Sequence, residues 1–268
     1  MQALWNNPIF YKYRLLEKRE YSRSKSSFWV RQMSLVWCVL VPLGFVAMLS
    51  LPEILDAISP EFNQGRLYLA LTELADKWIG ALTLSHFLVL MVAIGLSVHG
   101  TCSLVTAERE KKTLESLQST MLSASEIVNG RLASGLYPVL RELFIVSPLA
   151  LFLGALAGFG LKSLLCIALL FSSVAFYGMV GLWCSYLCKN TQYANRMASG
   201  VAGSLLILVP MASKLSGKGW MLLLHPVYAS FSLAQGVMPV ILVTAFHFFG
   251  ASMLWLDALR RERSAVRV

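Results

Sequence analysis

The sequence predicts an all-α polytopic membrane protein with six transmembrane helices, on three observations. Of its 268 residues, 57% are hydrophobic and 14% are charged, whereas soluble domains have about 25% charged residues. The apolar residues form runs of about 20, the length of helix that crosses a ~30 Å hydrocarbon core. The Lys and Arg residues fall mainly in alternate connections between those runs. Few residues remain for a separate soluble catalytic domain.

Residues 1–32 predict an amphipathic helix that lies in the membrane interface. Their aromatic and apolar residues alternate with Lys and Arg, which suits a helix in the plane of the lipid head groups. Pro8 fits the first turn, where a missing N–H costs nothing. The stretch has no leading apolar run, so no cleavable signal peptide is expected. A nucleic-acid-binding arm is the alternative, but the stretch continues directly into a span, and no nucleic acid is expected as a partner.

The membrane domain is predicted to cover residues 33–256. Residues 220–236 are apolar but broken by His225 and Pro226, so we expect an outer re-entrant segment there, before span six. Residues 257–268 are expected to form a basic cytoplasmic tail. The six spans are expected at 33–51, 78–106, 132–160, 163–187, 197–213 and 237–256.

The distribution of basic residues predicts the orientation of the chain. With the first residue inside the cell, 18 of the 23 Lys and Arg residues lie on the cytoplasmic side and 5 lie outside. Cytoplasmic connections of membrane proteins are enriched in Lys and Arg, so both termini are expected in the cytoplasm. The formal net charge of +9 then faces anionic lipid. We therefore expect a multi-pass protein of the inner (cytoplasmic) membrane, with lipid as a partner.

A hydrophilic island at residues 107–130 separates spans two and three. Leu114, Leu117 and Met121 recur in it at helical spacing, which predicts a short surface helix with one apolar stripe. Such a helix suits a docking platform for a partner protein. The alternative is a loop that is solvated by its charges.

The second half of the island predicts a helix start. Ser123 and Glu126 match the S-x-x-E capping box, in which each residue hydrogen-bonds the backbone N–H of the other. A second helix is therefore expected to begin near Ala124 and to continue into span three.

Residue types that carry catalysis or bind metals are scattered along the chain. Cys184 and Cys188 share a helix face, but no nearby His or carboxylate completes a metal-ligand set. His86, His99 and His247 lie in spans two and six and are more typical of hydrogen-bonded packing residues than of a proton relay. The sequence thus predicts no catalytic residue and no metal site.

Two charged residues, Arg141 and Glu142, are predicted to lie early in span three. Neighbouring residues of a helix point about 100° apart, so the two need not pair with each other. Polar residues within spans are costly and commonly functional. Both residues either reach the inner interface or line a translocation path or subunit interface.

Two motifs in the island resemble a known family. The first motif, E-R-E-x-x-T-L-E-x-L-x-x-T, is matched by Glu108, Arg109, Glu110, Thr113, Leu114, Glu115, Leu117 and Thr120. In the second, Ser123 to Leu132 reads SASEIVNGRL, which is similar to S-x-x-E-I-x-x-G-K-L. Together with Asn-Pro in the interfacial helix and six spans, these motifs resemble the membrane subunit of exporter-type ABC transporters, the ABC-2 permease class. One departure is Met121-Leu122, where the family usually has Pro-Leu.

The resemblance implies a function. The chain would be the permease subunit of an ATP-driven ABC exporter, forming the translocation path with a second permease copy as a homodimer or related heterodimer. The eight residues of the first motif would form a coupling helix that enters a groove on a separate ABC ATP-binding subunit. The chain has no G-x-x-x-x-G-K-[ST] motif, so ATP and Mg²⁺ are expected on the partner and no cofactor on this chain. We expect a transport subunit and not an enzyme.

Two other classes of protein remain as alternatives. A non-transporting membrane anchor or signalling subunit would have the same spans but would need no ATPase. An intramembrane enzyme that uses His or Cys is less consistent with the scattered histidines. The residues do not identify a transported substrate.

Overall fold

The computed structural model of the chain describes residues 7–12, 15, 38–44, 47, 64–113, 122–156, 160–216, 225–231 and 237–266. All the regular elements in these residues are helices, so the all-α prediction is confirmed. Residues 8–12 and 38–44 are helical. From residue 64 onward, the described helices are α1 (Gln64–Thr101), α2 (Leu104–Glu110), α3 (Ala124–Leu156), α4 (Leu161–Leu187), α5 (Thr191–Ser216), α6 (Pro226–Phe231) and α7 (Met238–Val266).

Four stretches of the described residues are long and apolar enough to cross a membrane. They are Ile79–Glu110, Ala124–Phe152, Lys162–Leu187 and Met238–Ser264, and they correspond to predicted spans two, three, four and six. The chain is therefore a multi-pass membrane protein. Predicted span one lies mostly outside the described residues, and α5 covers span five without being among the four stretches. The count of six spans stays a prediction.

Helix α4 is the central helix of the bundle. It packs against α1, α3, α5 and α7, and 61% of its span is buried within the molecule, compared with 17% of the α7 span. Its buried face carries Leu170, Val174 and Tyr177, which join the main apolar core with residues of α1 and α3. Apolar residues all around α4 are thus explained by neighbours on every side.

Glycines let α1 and α3 approach closely. A methyl group built on Gly100 would lie 2.5 Å from the carbonyl oxygen of Gly135, and one on Gly135 would lie 2.7 Å from that of Gly100. On α4, a methyl group on Gly181 would lie 2.8 Å from the carbonyl oxygen of Val98. Small residues at such crossings allow backbone-to-backbone packing of membrane helices. The three helices are therefore fixed relative to one another near the end of α1.

Helix α1 begins earlier than the predicted span. Its 38 residues extend about 57 Å at 1.5 Å per residue, well beyond the ~30 Å hydrocarbon core. The predicted start of span two at residue 78 agrees with the stretch that could cross a membrane, which begins at Ile79, although the helix itself begins at Gln64. No Pro or Gly occurs from Arg66 to Ile79, so nothing in the sequence stops the helix there.

Helix α7 extends through most of the predicted tail. It ends at Val266, so residues 257–266 form its last turns and not a separate segment. Asp257 and Arg261 form an i, i+4 ion pair at 2.7 Å in these turns. Cations in a last helical turn also interact favourably with the helix dipole.

The first half of the island differs from the prediction of a helix that starts inside it. Helix α2 begins at Leu104, before the island, and closes at Lys111 and Lys112. The N–H of Thr113 donates to Glu108 O at 2.9 Å, and that of Lys112 donates to Arg109 O at 3.1 Å. With a φ of 55° at Lys112, these bonds form a Schellman motif. The predicted stripe of Leu114, Leu117 and Met121 lies outside the described residues.

Helix α6 occupies the predicted re-entrant region. Its six residues are about 9 Å long and cannot span a membrane alone. The ring Nε2 of His225 lies 3.0 Å from Leu206 O, which attaches the start of α6 to α5. The neighbouring residues 217–224 and 232–236 lie outside the described part, so re-entry stays a prediction.

Candidate functional site

Five helix ends meet at one end of the bundle. They are the ends of α2, α4 and α7 and the starts of α3 and α5, and we call this region the island end because the island connects α2 to α3. The sequence predicts this region as an exposed docking surface. The structure instead fills its interior with charged and polar side chains.

Arg131 of α3 is the centre of these contacts and has no exposed surface. Its Nη2 donates to Glu108 Oε2 at 2.7 Å and its Nε to the same oxygen at 3.1 Å. Its Nη1 donates to Glu262 Oε2 at 2.7 Å and to the Tyr186 hydroxyl at 2.8 Å. The Tyr186 hydroxyl in turn donates to Glu262 Oε2 at 2.7 Å. We call these four residues the Arg131 cluster.

The Arg131 cluster joins four helices. Glu108 belongs to α2, Arg131 to α3, Tyr186 to α4 and Glu262 to α7. Both carboxylates are almost completely buried, Glu108 with 4% and Glu262 with 1% of its surface exposed. Removal of one partner from such a buried pair costs about 3–5 kcal/mol, because a charge is left uncompensated. The cluster therefore holds the four helix ends in one arrangement.

The start of α2 is capped by a side chain of α4. The Ser185 hydroxyl accepts hydrogen bonds from the N–H of Val105 at 3.0 Å and of Thr106 at 3.1 Å. The first N–H groups of a helix have no partner within it and need one from elsewhere. Ser103, the residue at the N-cap position, makes no such bond itself. Helix α2 therefore depends on α4 for its first turn.

The end of α2 is bound to the turn between α4 and α5. Glu110 accepts hydrogen bonds from the Thr191 N–H at 2.7 Å and from the Thr191 hydroxyl at 3.0 Å, at the start of α5. Arg109 donates to the carbonyl oxygen of Cys188. A carboxylate at a helix start also interacts favourably with the helix dipole. Helix α2 is thus tied to α4 and α5 as well as to α3 and α7.

The start of α3 contacts the N-terminal helical residues 8–12. Asn7 Oδ1 accepts from the N–H of Ile9 at 2.9 Å, while its amide donates to Glu126 O at 2.8 Å. Pro8 follows this N-cap, so its predicted place in the first turn is confirmed. Gly130 of α3 has no side chain and so allows Asn7 and Ile9 to pack against it. A methyl group on Gly130 would lie 2.8 Å from Asn7 Oδ1 and 3.0 Å from Ile9 Cβ.

The predicted capping box of Ser123 and Glu126 is present. The Glu126 carboxylate accepts from the Ser123 N–H at 2.8 Å, and the Ser123 hydroxyl lies 3.3 Å from the Glu126 N–H. Helix α3 begins at Ala124, as the motif predicts. Ile127, one residue later, packs with Ile9, so the helix start also orients the N-terminal residues.

Four of the eight candidate coupling residues lie in the described part of the chain. Glu108 is buried in the Arg131 cluster, so it does not lie on an exposed docking surface, whereas Glu110, Lys111 and Lys112 are exposed. Arg109 and Glu110 bind the turn between α4 and α5. The Thr113 hydroxyl lies 3.3 Å from Glu108 O. The other four, Leu114, Glu115, Leu117 and Thr120, lie outside the described residues.

Arg141 and Glu142 lie apart from the Arg131 cluster. They follow Arg131 by ten and eleven residues on α3, which is about 15 Å at 1.5 Å per residue. The Arg141 guanidinium lies 6.0 Å from the centre of the Tyr137 ring, and Glu142 is buried. Whether either residue lines a path stays a prediction.

Sequence reasoning did not identify the partners on α4 and α7. Glu262 is the only carboxylate in the RRERSAVRV end of the chain, and that isolated acid among cations was the one available signal. Helix α7 is also held by Trp183 Nε1, which donates to Asp257 at 2.9 Å, and by Trp255 Nε1, which donates to Asn129 at 2.8 Å. These contacts make the end of α7 part of the island end.

The fold defines the chain as a multi-pass helical membrane protein. Its Arg131 cluster attaches α2, which leads into the island, to α3, α4 and α7. No family model matches the chain, and no curated protein matches it. Its own motifs and contacts therefore carry the functional proposal.

Proposed function

We propose that the chain is the permease subunit of an ATP-driven ABC exporter, coupled through its island to a separate ATP-binding subunit. The observation that carries the proposal is the Arg131 cluster. It binds Glu108, at the entrance to the island, to three membrane helices through ion pairs and hydrogen bonds of 2.7–3.1 Å. A force on the island therefore reaches the helices directly.

Coupling of this kind needs a connection that does not yield before the helices move. Breaking a buried ion pair costs about 3–5 kcal/mol, so a displaced island carries α3, α4 and α7 with it. A partner can shift such a protein between two states only through contacts that differ between them. In the proposal, the island supplies these contacts as the ATP-binding subunits close and reopen.

The places of the two resembling motifs also favour the proposal. Asn7, the first residue of the Asn-Pro pair in the interfacial helix, packs on Gly130 of the SASEIVNGRL motif and donates to Glu126 O in the same motif. Glu108, from the other motif, pairs with Arg131 of the same segment. Residues that carry the family resemblance thus depend on one another in space.

A second permease copy, identical or related, completes the translocation path in this proposal. The protein would lie in the cytoplasmic membrane with both termini and the island in the cytoplasm. ATP and Mg²⁺ would bind to the ATP-binding subunit.

The test is to purify the intact complex in mild detergent and to separate docking from transmission with two variants. Leu117→Asp places a charge in the predicted apolar stripe, where burying it unpaired is costly. We expect it to lose the ATP-binding subunit from the complex. Lys111→Ala, at an exposed position of the same connection, is the matched control and should keep the subunit.

The second variant, Tyr186→Phe, removes the hydroxyl that bonds both Arg131 and Glu262, so that α4 loses its contact with the cluster while the direct pair of Arg131 and Glu262 remains. The residues of the island are unchanged. We expect the ATP-binding subunit to stay bound while the dependence of its hydrolysis rate on this chain falls. A purified protein with no associated chain carrying a G-x-x-x-x-G-K-[ST] motif would favour the membrane-anchor alternative. A Leu117→Asp complex that assembles and hydrolyses ATP normally would contradict docking through the island.

A further inference from the structure

A cavity lies between α1, α3 and α4 in the half of the bundle away from the island end. Its volume is about 100 Å³, well above the space that one water molecule needs. Most of its wall is apolar, including Val89, Val146, Ala150, Ile167 and Leu170. Interiors normally pack with few voids of this size, so this one is a candidate binding site.

The cavity extends inward from the membrane surface opposite the island end. Its lining on α4 runs from Lys162 to Leu170, about 12 Å at 1.5 Å per residue. Lys162 lies in the first turn of α4, which begins at Leu161. The mouth of the cavity is therefore at head-group level, and its inner end is in the hydrocarbon core.

Three of the four hydroxyl groups that line the cavity, all except that of Ser163, are already bonded to backbone. Thr83 donates to Ile79 O at 2.9 Å, Ser85 to Ala81 O at 2.8 Å and Ser147 to Leu143 O at 2.6 Å. These side chains therefore present little unmet polarity to the cavity. A buried water needs 2–4 polar partners, and the inner wall does not offer them.

Two nitrogen-bearing side chains of the lining have no partner in the described part of the chain. His86 Nε2 is shielded from solvent and makes no hydrogen bond, unlike His247, which lies 3.2 Å from the Ser173 hydroxyl. The expectation of a hydrogen-bonded histidine is therefore met at His247 and not at His86. Among the described lining residues, Lys162 is the only charged one, and it forms no ion pair with a described residue.

The order of these groups matches an amphiphile. His86 follows Leu82 by four residues on α1, so it lies about 6 Å deeper than the mouth. A phospholipid has its phosphate outermost, then its ester carbonyls, then its acyl chains. Lys162 lies at the depth of the phosphate, His86 at the depth of the ester carbonyls and the apolar wall at the depth of the acyl chains.

We propose that this cavity binds an anionic phospholipid of the adjacent leaflet. The head-group phosphate pairs with Lys162, an ester carbonyl accepts a hydrogen bond from His86 Nε2, and the first part of one acyl chain fills the cavity. The lipid then packs between α1, α3 and α4 as a structural partner. This site is independent of the proposed transport function, since no ATP-binding subunit takes part in it.

The test uses the purified chain in vesicles with a photoactivatable group on the lipid acyl chain, carried by phosphatidylglycerol in one preparation and by phosphatidylcholine in the other. Labelled residues are mapped by peptide mass spectrometry. We expect cavity residues such as Val146 and Ile167 to be labelled about fivefold more with phosphatidylglycerol, the ratio for ~1 kcal/mol per Lys near an anionic surface. Lys162→Gln should remove this preference.

A substitution that fills the cavity provides the second arm. Ala150→Phe should reduce labelling of the cavity residues with either lipid. Ala155→Phe, the same change on an exposed part of α3, is the matched control and should leave the labelling unchanged. Competition on the unaltered protein avoids any effect on folding, and excess unlabelled phosphatidylglycerol should displace the probe better than phosphatidylcholine does. Labelling confined to exposed residues such as Phe152 and Leu164, or equal for both head groups, would overturn the proposal.

Discussion

The two halves of the bundle are built on different principles. At the island end, Arg131 is fully buried and makes four hydrogen bonds to residues of three other helices. In the opposite half, His86 Nε2 is shielded without a partner beside a cavity of about 100 Å³. Helices α3 and α4 contribute to both regions.

This difference in contacts indicates which half of the bundle resists deformation. Charged hydrogen bonds are directional and costly to break in a buried place, so the helix ends at the island end move together or not at all. Apolar contacts are not directional, and the side chains that line a cavity have no partner atoms on the side of the void. A displacement of the helix ends at the island end would therefore change the packing in the opposite half more readily than the contacts within the island end.

The largest expected effect comes from breaking the island end. Arg131→Met leaves the carboxylates of Glu108 and Glu262 buried without their cation, so we expect a loss of about 3–5 kcal/mol of stability. Equilibrium unfolding in mixed micelles measures it. Arg263→Met, at an exposed cation of α7, is the control and should stay within about 0.5 kcal/mol of the unaltered protein.

A compensated variant sharpens that result. Arg131→Met combined with Glu108→Met, Glu262→Met and Tyr186→Phe removes all three charges together with the hydroxyl bonded to them, so none of the four residues keeps a buried polar group without a partner. It should recover most of the lost stability, because a buried pair is replaced at little cost when both partners change. A combined variant no more stable than Arg131→Met would show that the loss came from packing and not from charge.

The second effect concerns the packing that joins the two halves. Gly100→Ala places a methyl group 2.5 Å from Gly135 O, and such overpacking costs about 1–3 kcal/mol. On the same helix, a methyl group on Gly95 meets nothing within 4 Å. Gly95→Ala should therefore stabilise α1 by about 0.5–1 kcal/mol. The two changes should have opposite signs in the same unfolding measurement, and equal losses would contradict the close crossing of α1 and α3.

Features that depend on near neighbours in the chain could be predicted from the sequence. The capping box of Ser123 and Glu126 acts over three residues, and the start of α3 at Ala124 follows from it. The four candidate spans follow from apolar runs. The N-cap at Asn7 and Pro8 is equally local.

The Arg131 cluster could not be predicted in the same way. Glu108, Tyr186 and Glu262 are 23, 55 and 131 residues from Arg131 in the chain, and a single sequence does not show which helices are neighbours. The basic composition after residue 256 predicts a solvated tail, although Arg, Glu and Ala are all good helix formers. Glu262 instead lies in the interior, on the last turns of α7.

The charges of α2 show the same limit at short range. Glu108, Arg109 and Glu110 are consecutive, so they point about 100° apart on a helix. A single face could not present all three to a partner. Each instead meets a different group of the chain, so Glu108 is buried while Glu110 stays exposed. The prediction of one shared exposed surface fails at Glu108, because a single sequence does not show which helices are neighbours.

The smallest expected effect concerns the turn that closes α2. Lys112 has a φ of 55°, a left-handed conformation that costs an ordinary residue about 1–2 kcal/mol and glycine very little. It stands at the position after the helix cap where a Schellman motif normally has glycine. Lys112→Gly should thus raise stability by about 1 kcal/mol, since glycine's greater freedom in the unfolded chain offsets part of the gain.

Lys111→Gly is the matched control, because Lys111 has a φ of −81°, and it should lower stability by about 0.5–1 kcal/mol. If both glycines destabilise the protein equally, α2 does not close at Lys112. The island would then begin further along the chain, and Glu108 would lose its fixed place at the entrance to it.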